Sequence, residues 1–202
     1  MASIYNIKPQ FQALLRPLTN KLATRGVTAN HVTLAAAGLS IVAGLAILLG
    51  REHRQILLLL PIVLFIRMAL NAIDGMLARE HNMKSALGAI LNELGDAVSD
   101  AALYLPLATV PGFRPWMVVI VVLLAVLTEM AGVVAVQIGA SRHYEGPMGK
   151  SDRAFVFGAL GLALGCGVES GRWLTVALAV LMVLLVLTVL NRARKALKEI
   201  GQ

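Results

Sequence analysis

Acidic and amide side chains recur at helical spacing inside two apolar stretches of this 202-residue chain. Asn71 and Asp74 are three residues apart in the first stretch, and Asn92, Asp96 and Asp100 are each four residues apart in the second. At about 100° per residue, each set lies on one face of a helix. Two such helices facing each other would present oxygen ligands to a common space, as Mg²⁺, Mn²⁺ or Ca²⁺ requires. The residues therefore predict a divalent-cation site, and hydrogen bonding that merely joins the two helices is the alternative.

A short segment with small residues continues from the first set. It reads Asp74-Gly75-Met76-Leu77-Ala78-Arg79. Because Gly75 and Ala78 lack bulk, a ligand can approach the helix surface there. Arg79 lies four residues after Gly75 and is suited to pair with a phosphate.

Residues 71–96 together have the pattern N-x2-D-G-x2-A-R-x8-G-x3-N-x3-D. This pattern resembles the signature of the CDP-alcohol phosphatidyltransferases, D-x2-D-G-x2-A-R-x8/9-G-x3-D-x3-D. The resemblance covers most of the chain, because the family also has six membrane spans after an amphipathic helix. Six of the eight signature positions match at the correct spacing, and they are Asp74, Gly75, Ala78, Arg79, Gly88 and Asp96.

The resemblance implies a reaction of phospholipid biosynthesis. Such an enzyme transfers a phosphatidyl group from a CDP-linked lipid, such as CDP-diacylglycerol, to an acceptor alcohol and releases CMP. The resemblance also implies two divalent cations, Mg²⁺ or Mn²⁺, and a homodimer. Asp96 would deprotonate the acceptor hydroxyl. The implied metal ligands are Asn71, Asp74, Asn92 and Asp96, and the implied CDP-binding residues are Asp74, Gly75, Ala78, Arg79 and Gly88.

Two positions depart from the family pattern. Asn71 and Asn92 stand where the usual signature has Asp, and an amide oxygen ligates Mg²⁺ without bringing negative charge. We therefore expect weaker cation binding, above all at the second ion, with Asp100 or Glu93 as a compensating ligand. A member that binds CDP-lipid without catalysis is one alternative. A small cation transporter is less favoured, because a path across the membrane needs charges at several depths.

The segment from Gly146 to Arg153 leads into a later apolar run. Its glycines, a helix N-terminus and the cations Lys150 and Arg153 suit an anion. An ordinary helix cap and cytoplasmic positive charge explain the same residues. The family often has a Gly-Lys pair near its acceptor pocket, so the resemblance implies acceptor binding by Lys150 and Arg153 and favours a phosphorylated acceptor. Arg67 is a further candidate acceptor ligand, although an ion pair with Glu129 is the preferred interpretation.

The composition of the chain predicts the helices on which these residues lie. With 58% apolar and 14% charged residues and a mean hydropathy of +0.78, the chain is predicted to be an integral membrane protein. Residues 1–30 carry apolar residues at helical spacing among basic ones, which predicts an amphipathic helix on the membrane surface, or one packed on other protein. Residues 31–202 are predicted to form one all-α bundle of six transmembrane helices. The six apolar runs are 31–50, 55–74, 85–108, 113–138, 152–168 and 172–191.

Charge distribution predicts the orientation. With the N-terminus inside, 13 Lys and Arg residues lie in inner segments and four in outer ones. The positive-inside rule then places both termini and the predicted site at the cytoplasmic side, in a bacterial inner membrane. The net charge of +7 is thereby explained without a nucleic-acid partner. Gly161 and Gly165 have the spacing at which helices pack closely, either within the chain or with a second subunit.

Overall fold

The fold is entirely helical within the residues that the computed structural model describes, 4–201. Short 3-10 segments, Arg54–Leu58 and Leu105–Thr109, precede the third helix and follow the fourth. The absence of strands in residues 4–201 agrees with the predicted all-α class. The helices are α1 (Ile4–Thr24), α2 (Ala29–Leu49), α3 (Leu59–Glu80), α4 (Ala86–Tyr104), α5 (Pro115–Gln137), α6 (Lys150–Gly165) and α7 (Arg172–Glu199).

Four helical segments are long and apolar enough to cross a membrane, in agreement with an integral membrane protein. Two of the six predicted spans fall short of that standard. α4 carries three acidic residues, and α6 has only 16 residues where about 20 are needed. The four qualifying segments are Ala29–Leu49, Arg54–Glu80, Pro115–Gln137 and Arg172–Glu199.

α2 holds α3 and α4 in place by packing against both of them. Gly44 permits the close approach, because a Cβ atom there would overlap the carbonyl oxygen of Ala102 on α4. On the α3 side, the hydroxyl of Thr33 donates a hydrogen bond to Asp74 Oδ2 at 2.9 Å. The two helices that carry the signature are therefore positioned through a common neighbour.

The small-residue face of α6 is covered within the chain. A Cβ atom at Gly161 would lie 2.7 Å from the carbonyl oxygen of Leu57, and one at Gly165 would lie 2.7 Å from the side chain of Leu58. Close packing at this spacing was predicted from the sequence. The partner is the 3-10 segment that leads into α3.

α1 lies against α3. Arg16 Nε pairs with Glu80 Oε2 at 3.0 Å, and the rings of Phe11 and Phe65 meet edge to face at 6.2 Å between centroids. Leu14 is nevertheless 76% exposed, and Leu18 is 47% exposed. The helix thus packs on protein with one face and leaves apolar side chains on another.

Candidate active site

The two signature helices meet through the long side chain of Arg67. Its Nη2 donates to the backbone oxygen of Asp96 at 3.3 Å, and its Nη1 pairs with Asp100 Oδ1 at 2.7 Å. α3 and α4 are therefore joined by a side-chain bridge, and both pack directly on α2. The arginine itself is only 3% exposed, so the structure places it inside the protein rather than on an open acceptor surface.

Asp74 and Asp96 are the two signature carboxylates of this chain. Asp74 is buried and accepts the Thr33 hydrogen bond described above. Asp96 is partly exposed, and its Oδ1 pairs with the ammonium group of Lys150 at the start of α6. Asp96 and Lys150 are close enough to Asp74 for their charges to act on it. The fold thus brings α3, α4 and α6 together at one end of the bundle.

A cavity of about 310 Å³ opens beside Asp96. Asn92, Asp96 and Lys150 from the predicted set lie on its wall, whereas no residue of α3 lines it, neither Asn71 nor Asp74. Asn71 is half-buried one turn before Gly75 on α3. The other lining residues are Glu129, Arg142, Tyr144, Gly149, Ser151, Asp152 and Arg192.

The glycines of the signature lie where a side chain would collide with polar groups. A Cβ atom at Gly75 would be 3.0 Å from Arg79 Nη2, so the guanidinium group of Arg79 lies over this glycine. A Cβ atom at Gly88 would be 2.8 Å from Asn30 Oδ1 on α2. Ala78 is half-buried beside the exposed Arg79. This part of α3 therefore presents a small, basic surface of the kind that a phosphate can approach.

Arg153 was predicted to bind the acceptor, but the structure buries it to 1% exposure. Its Nε and Nη2 donate to Asp100 Oδ2 at 3.0 and 2.9 Å, and its Nη1 donates to Thr128 Oγ1 at 3.0 Å. Nη2 also donates to Glu129 Oε1 at 2.8 Å. We correct the predicted role, because this guanidinium group is saturated by internal acceptors.

Asp100 was predicted as a compensating metal ligand. Its Oδ1 is taken by Arg67 and its Oδ2 by Arg153, and the residue is 4% exposed. A carboxylate enclosed by two guanidinium groups is neutralised without a cation. The structure therefore assigns Asp100 to an internal ion pair and not to the cation site.

Glu129 pairs with three arginines, and Arg67 is not among them. Its carboxylate lies 3.3 Å from Arg142, 2.8 Å from Arg153 and 3.7 Å from Arg192. The predicted Arg67–Glu129 pair is wrong, because Arg67 pairs instead with Asp100 on α4 at 2.7 Å.

Sequence reasoning missed Arg142 and Arg192 as site residues and counted them only as cytoplasmic charge. Arg192 is 2% exposed and lies four residues after Thr188 and seven after Leu185, which are also buried. That spacing along one helix face was the available signal.

The loop between α5 and α6 is fixed by the far end of α7. Arg192 Nη2 donates to the backbone oxygen of Tyr144 at 3.1 Å, and Thr188 Oγ1 accepts from the amide of Met148 at 2.9 Å. Glu145 lies in the same loop. A hydrogen bond from its own backbone amide and the side chain of Lys195 hold the pKa of Glu145 below its usual value. These contacts set the position of Gly149 and Lys150, and with them one wall of the cavity.

A divalent cation such as Mg²⁺ or Mn²⁺ needs several oxygen ligands, most of them carboxylates or carbonyls. Within residues 4–201, no three Asp, Glu, His or Cys side chains are gathered as a metal site. Two signature positions carry amides, Asn71 and Asn92, and their oxygens remain acceptable ligands for Mg²⁺ or Mn²⁺. Asp74 and Asp96 with these amides fit a hard cation, with less negative charge than four carboxylates would supply.

Comparisons with known proteins agree with this geometry. A family model described as CDP-alcohol phosphatidyltransferase matches residues 26–198. The inner membrane protein YnbA of Escherichia coli (strain K12) is 49% identical over 195 residues, which is 96% of each chain.

Two solved structures share the fold. Both are of phosphatidylinositol phosphate synthase from Mycobacterium tuberculosis, and both are 21% identical to this chain. The structure with CDP-DAG bound has a TM-score of 0.77 and covers 92% of this chain and 94% of its own. The complex with manganese and citrate has a TM-score of 0.76 and covers 92% and 90%.

Proposed function

This chain belongs to the CDP-alcohol phosphatidyltransferase family, and we propose that it transfers the phosphatidyl group of a CDP-linked lipid at the end of the bundle that holds Asp74 and Asp96. The donor is a lipid such as CDP-diacylglycerol, the acceptor is an alcohol, and CMP is released, as a step of phospholipid biosynthesis. One observation carries the assignment of the site: Asp96, the last acidic residue of the signature, forms an ion pair with Lys150 on the wall of the 310 Å³ cavity.

The donor nucleotide is proposed to bind along α3 and the start of α4. Gly75 and Ala78 leave space at the helix surface, and the guanidinium group of Arg79 over Gly75 is placed to pair with a phosphate oxygen. Gly88 keeps the start of α4 close to Asn30 of α2. Asp74 borders the same surface and completes the proposed CDP-binding set.

Divalent cations are proposed to bind between Asp74 and Asp96, with oxygens of Asn71 and Asn92 as further ligands. When bound, Mg²⁺ or Mn²⁺ supplies neutralisation of charge on the diphosphate as its bond breaks. The family pattern implies two ions. Because only two carboxylates remain in this set, and Asp96 is paired with Lys150, we expect the second ion to bind weakly.

Asp96 is proposed as the base. It accepts the proton of the acceptor hydroxyl, whose oxygen forms a new bond to the phosphatidyl phosphorus while the bond from that phosphorus to the oxygen of CMP breaks. The ammonium group of Lys150 fixes the orientation of the Asp96 carboxylate and lies at the cavity wall, where the acceptor would enter.

The charged residues argue against the two alternatives, a non-catalytic binding protein and a cation transporter. A non-catalytic binding protein has no need for the base and the cation ligand that this chain retains in Asp96 and Asp74. For a transporter, the buried charges would have to continue across the membrane. The buried arginines Arg67, Arg153 and Arg192 instead each have an acidic partner, and these pairs belong to one connected cluster beside the cavity.

The membrane arrangement is proposed as six crossings, with α4 and α6 spanning beside the four longer helices. α4 lies against α2 and α5, and α6 lies against α3, so their charged faces are turned towards protein. α1 is proposed to lie at the interface with Leu14 and Leu18 towards lipid. Residues 1–30 and 31–202 then form the interfacial segment and the membrane domain, with both termini and the site cytoplasmic. Association as a homodimer is part of the same proposal.

The test is a reaction of the purified protein with CDP-diacylglycerol, Mg²⁺ or Mn²⁺, and a panel of alcohols. We expect CMP in the aqueous phase and a new phospholipid that mass spectrometry identifies. CMP release must require the cation and must be lost in Asp96→Asn. Binding of CDP-diacylglycerol without CMP under all of these conditions would support the non-catalytic alternative.

A further inference from the structure

Three arginines from three different elements converge on the carboxylate of Glu129. Arg142 belongs to the α5–α6 loop, Arg153 to α6 and Arg192 to α7, at 3.3, 2.8 and 3.7 Å from its oxygens. The Glu129 side chain is 11% exposed and lies on the cavity wall. Convergent guanidinium groups are an arrangement that proteins use to bind phosphate. Here a side chain of the protein itself occupies the position of the anion.

The cationic side chains on the cavity wall are already paired. Lys150 pairs with Asp96, Arg142 with Glu93 and Glu129, and Arg192 with Glu129. The wall carries as many acidic as basic side chains: Asp96, Glu129 and Asp152 against Arg142, Lys150 and Arg192. A cavity with balanced charge gives no net attraction to a dianion.

A phosphorylated acceptor would meet repulsion in this cavity. Its phosphate carries about −1.5 to −2 charges at neutral pH and would have to lie beside Glu129 and Asp96. To gain the arginines, it would have to displace Glu129 and leave that carboxylate enclosed without a partner. A hydroxyl group imposes neither requirement, because it brings no charge beside Glu129 and Asp96.

We infer that Glu129 is an internal anion that makes this enzyme select an acceptor alcohol without a phosphate group. The inference rests on the proposed function, because it names the acceptor class of that same site. It replaces the phosphorylated acceptor favoured by the basic residues 150–153 in the sequence.

The first measurement uses the wild-type protein and matched pairs of acceptors. Glycerol is compared with glycerol 3-phosphate, and inositol with inositol 1-phosphate, in the presence of CDP-diacylglycerol and Mn²⁺. We expect kcat/KM for CMP release to be at least about tenfold higher for the unphosphorylated member of a pair that reacts. A preference for the phosphorylated member overturns the inference while leaving the proposed function intact.

The second measurement does not depend on turnover. Inorganic phosphate and glycerol 3-phosphate are titrated calorimetrically into wild type and into Glu129→Gln without donor lipid. Gln keeps the shape of the side chain and removes its charge, so we expect phosphate binding at least about tenfold tighter in the variant. Glu52→Gln is the matched control, since this exposed residue pairs with Arg51 and is no part of the proposed site.

Each result bears on the inference. If phosphate binds to wild type and this binding is lost in Arg192→Gln, the protein has an open phosphate site and the inference is wrong. The inference is also wrong if wild type and a folded Glu129→Gln bind phosphate equally well. If Glu129→Gln does not fold, the wild-type titration and its Arg192→Gln control still decide. Absence of CMP with every alcohol counts against the proposed function, and the titration continues to judge the role of Glu129.

Discussion

The α3–α4 signature and the Glu129 cluster carry similar side chains in opposite states. Around the signature, Asp74 is buried and accepts a hydrogen bond from the Thr33 hydroxyl, and the partly exposed Asp96 pairs with Lys150 and, at 3.9 Å, with Arg67. The carboxylate of Glu129, in contrast, is enclosed by three arginines. One of them, Arg153, is buried and donates hydrogen bonds to acceptors of the protein from all three guanidinium nitrogens. Charges that the protein leaves incompletely paired are the ones that can bind a ligand. Charges that it pairs internally hold helices together, and breaking such a pair is costly.

The sharpest test of this comparison is Asp96→Asn. The change keeps the shape of the side chain and removes the base, so we expect kcat for CMP release to fall about 10²- to 10⁴-fold. The apparent melting temperature in detergent should change little, because the ion pair with Lys150 is accessible to solvent and the second contact, with Arg67, is long at 3.9 Å. Glu169→Gln, in the segment between α6 and α7, is the control, and turnover that survives Asp96→Asn would remove Asp96 as the base.

The next largest effect is expected for stability at Arg153. Replacing it with Met leaves Asp100 and Glu129 each with one guanidinium partner fewer in a buried setting, which costs about 3–5 kcal/mol. The apparent melting temperature, followed by circular dichroism, should drop strongly, whereas Asp74→Asn should leave it nearly unchanged. Equal melting temperatures for the two variants would contradict the division between a binding region and a structural one.

A smaller change is expected on restoring the signature carboxylates. The double variant Asn71→Asp with Asn92→Asp adds two negative charges to the proposed cation site. We expect Mn²⁺ to bind about tenfold more tightly, which is about 1.4 kcal/mol. Electron paramagnetic resonance of free Mn²⁺ measures this without turnover, with Asn82→Asp in the α3–α4 connection as the control. Unaltered Mn²⁺ affinity would move the cation site away from these two positions.

The smallest effect is expected for Gly75→Ala. The added methyl group would lie 3.0 Å from Arg79 Nη2, and this flexible side chain can move aside. We expect KM for CDP-diacylglycerol to rise a few-fold while the melting temperature stays the same, a loss of about 1 kcal/mol in donor binding. Ala86→Gly, at the first position of α4, serves as a small-residue comparison outside the proposed contact. If only the KM for the acceptor changes, Gly75 contacts the acceptor and not the CDP-linked donor, and the proposed donor site is wrong.

Much of the fold could be predicted from local patterns in the sequence. The long apolar runs predicted helices, and the glycines at 161 and 165 predicted a close contact, which the 3-10 segment before α3 provides. The ends of α4 and α6 were harder to predict, because apolar residues continue into the 3-10 segment at 105–109 and into the loop after Gly165. Hydropathy does not register where backbone hydrogen bonding changes from one helix type to another.

The pairing of the buried charges could not be predicted in the same way. Spacing places Arg67, Asp100 and Glu129 on helix faces, but it does not fix how each helix is rotated against its neighbours. Arg67 reaches Asp100 of α4 rather than Glu129 of α5, because Glu129 is held by arginines from α6 and α7.

The class of protein and the chemistry of its signature could be predicted without a structure, because apolar length and the spacing of Asp74, Gly75, Arg79 and Asp96 are properties of the chain alone. Which charges remain available for a ligand could not be predicted in this way. Availability depends on contacts between residues far apart in the chain, such as Arg192 with Glu129 and Lys150 with Asp96. A charged side chain acts on a substrate only when no other part of the fold has neutralised it first.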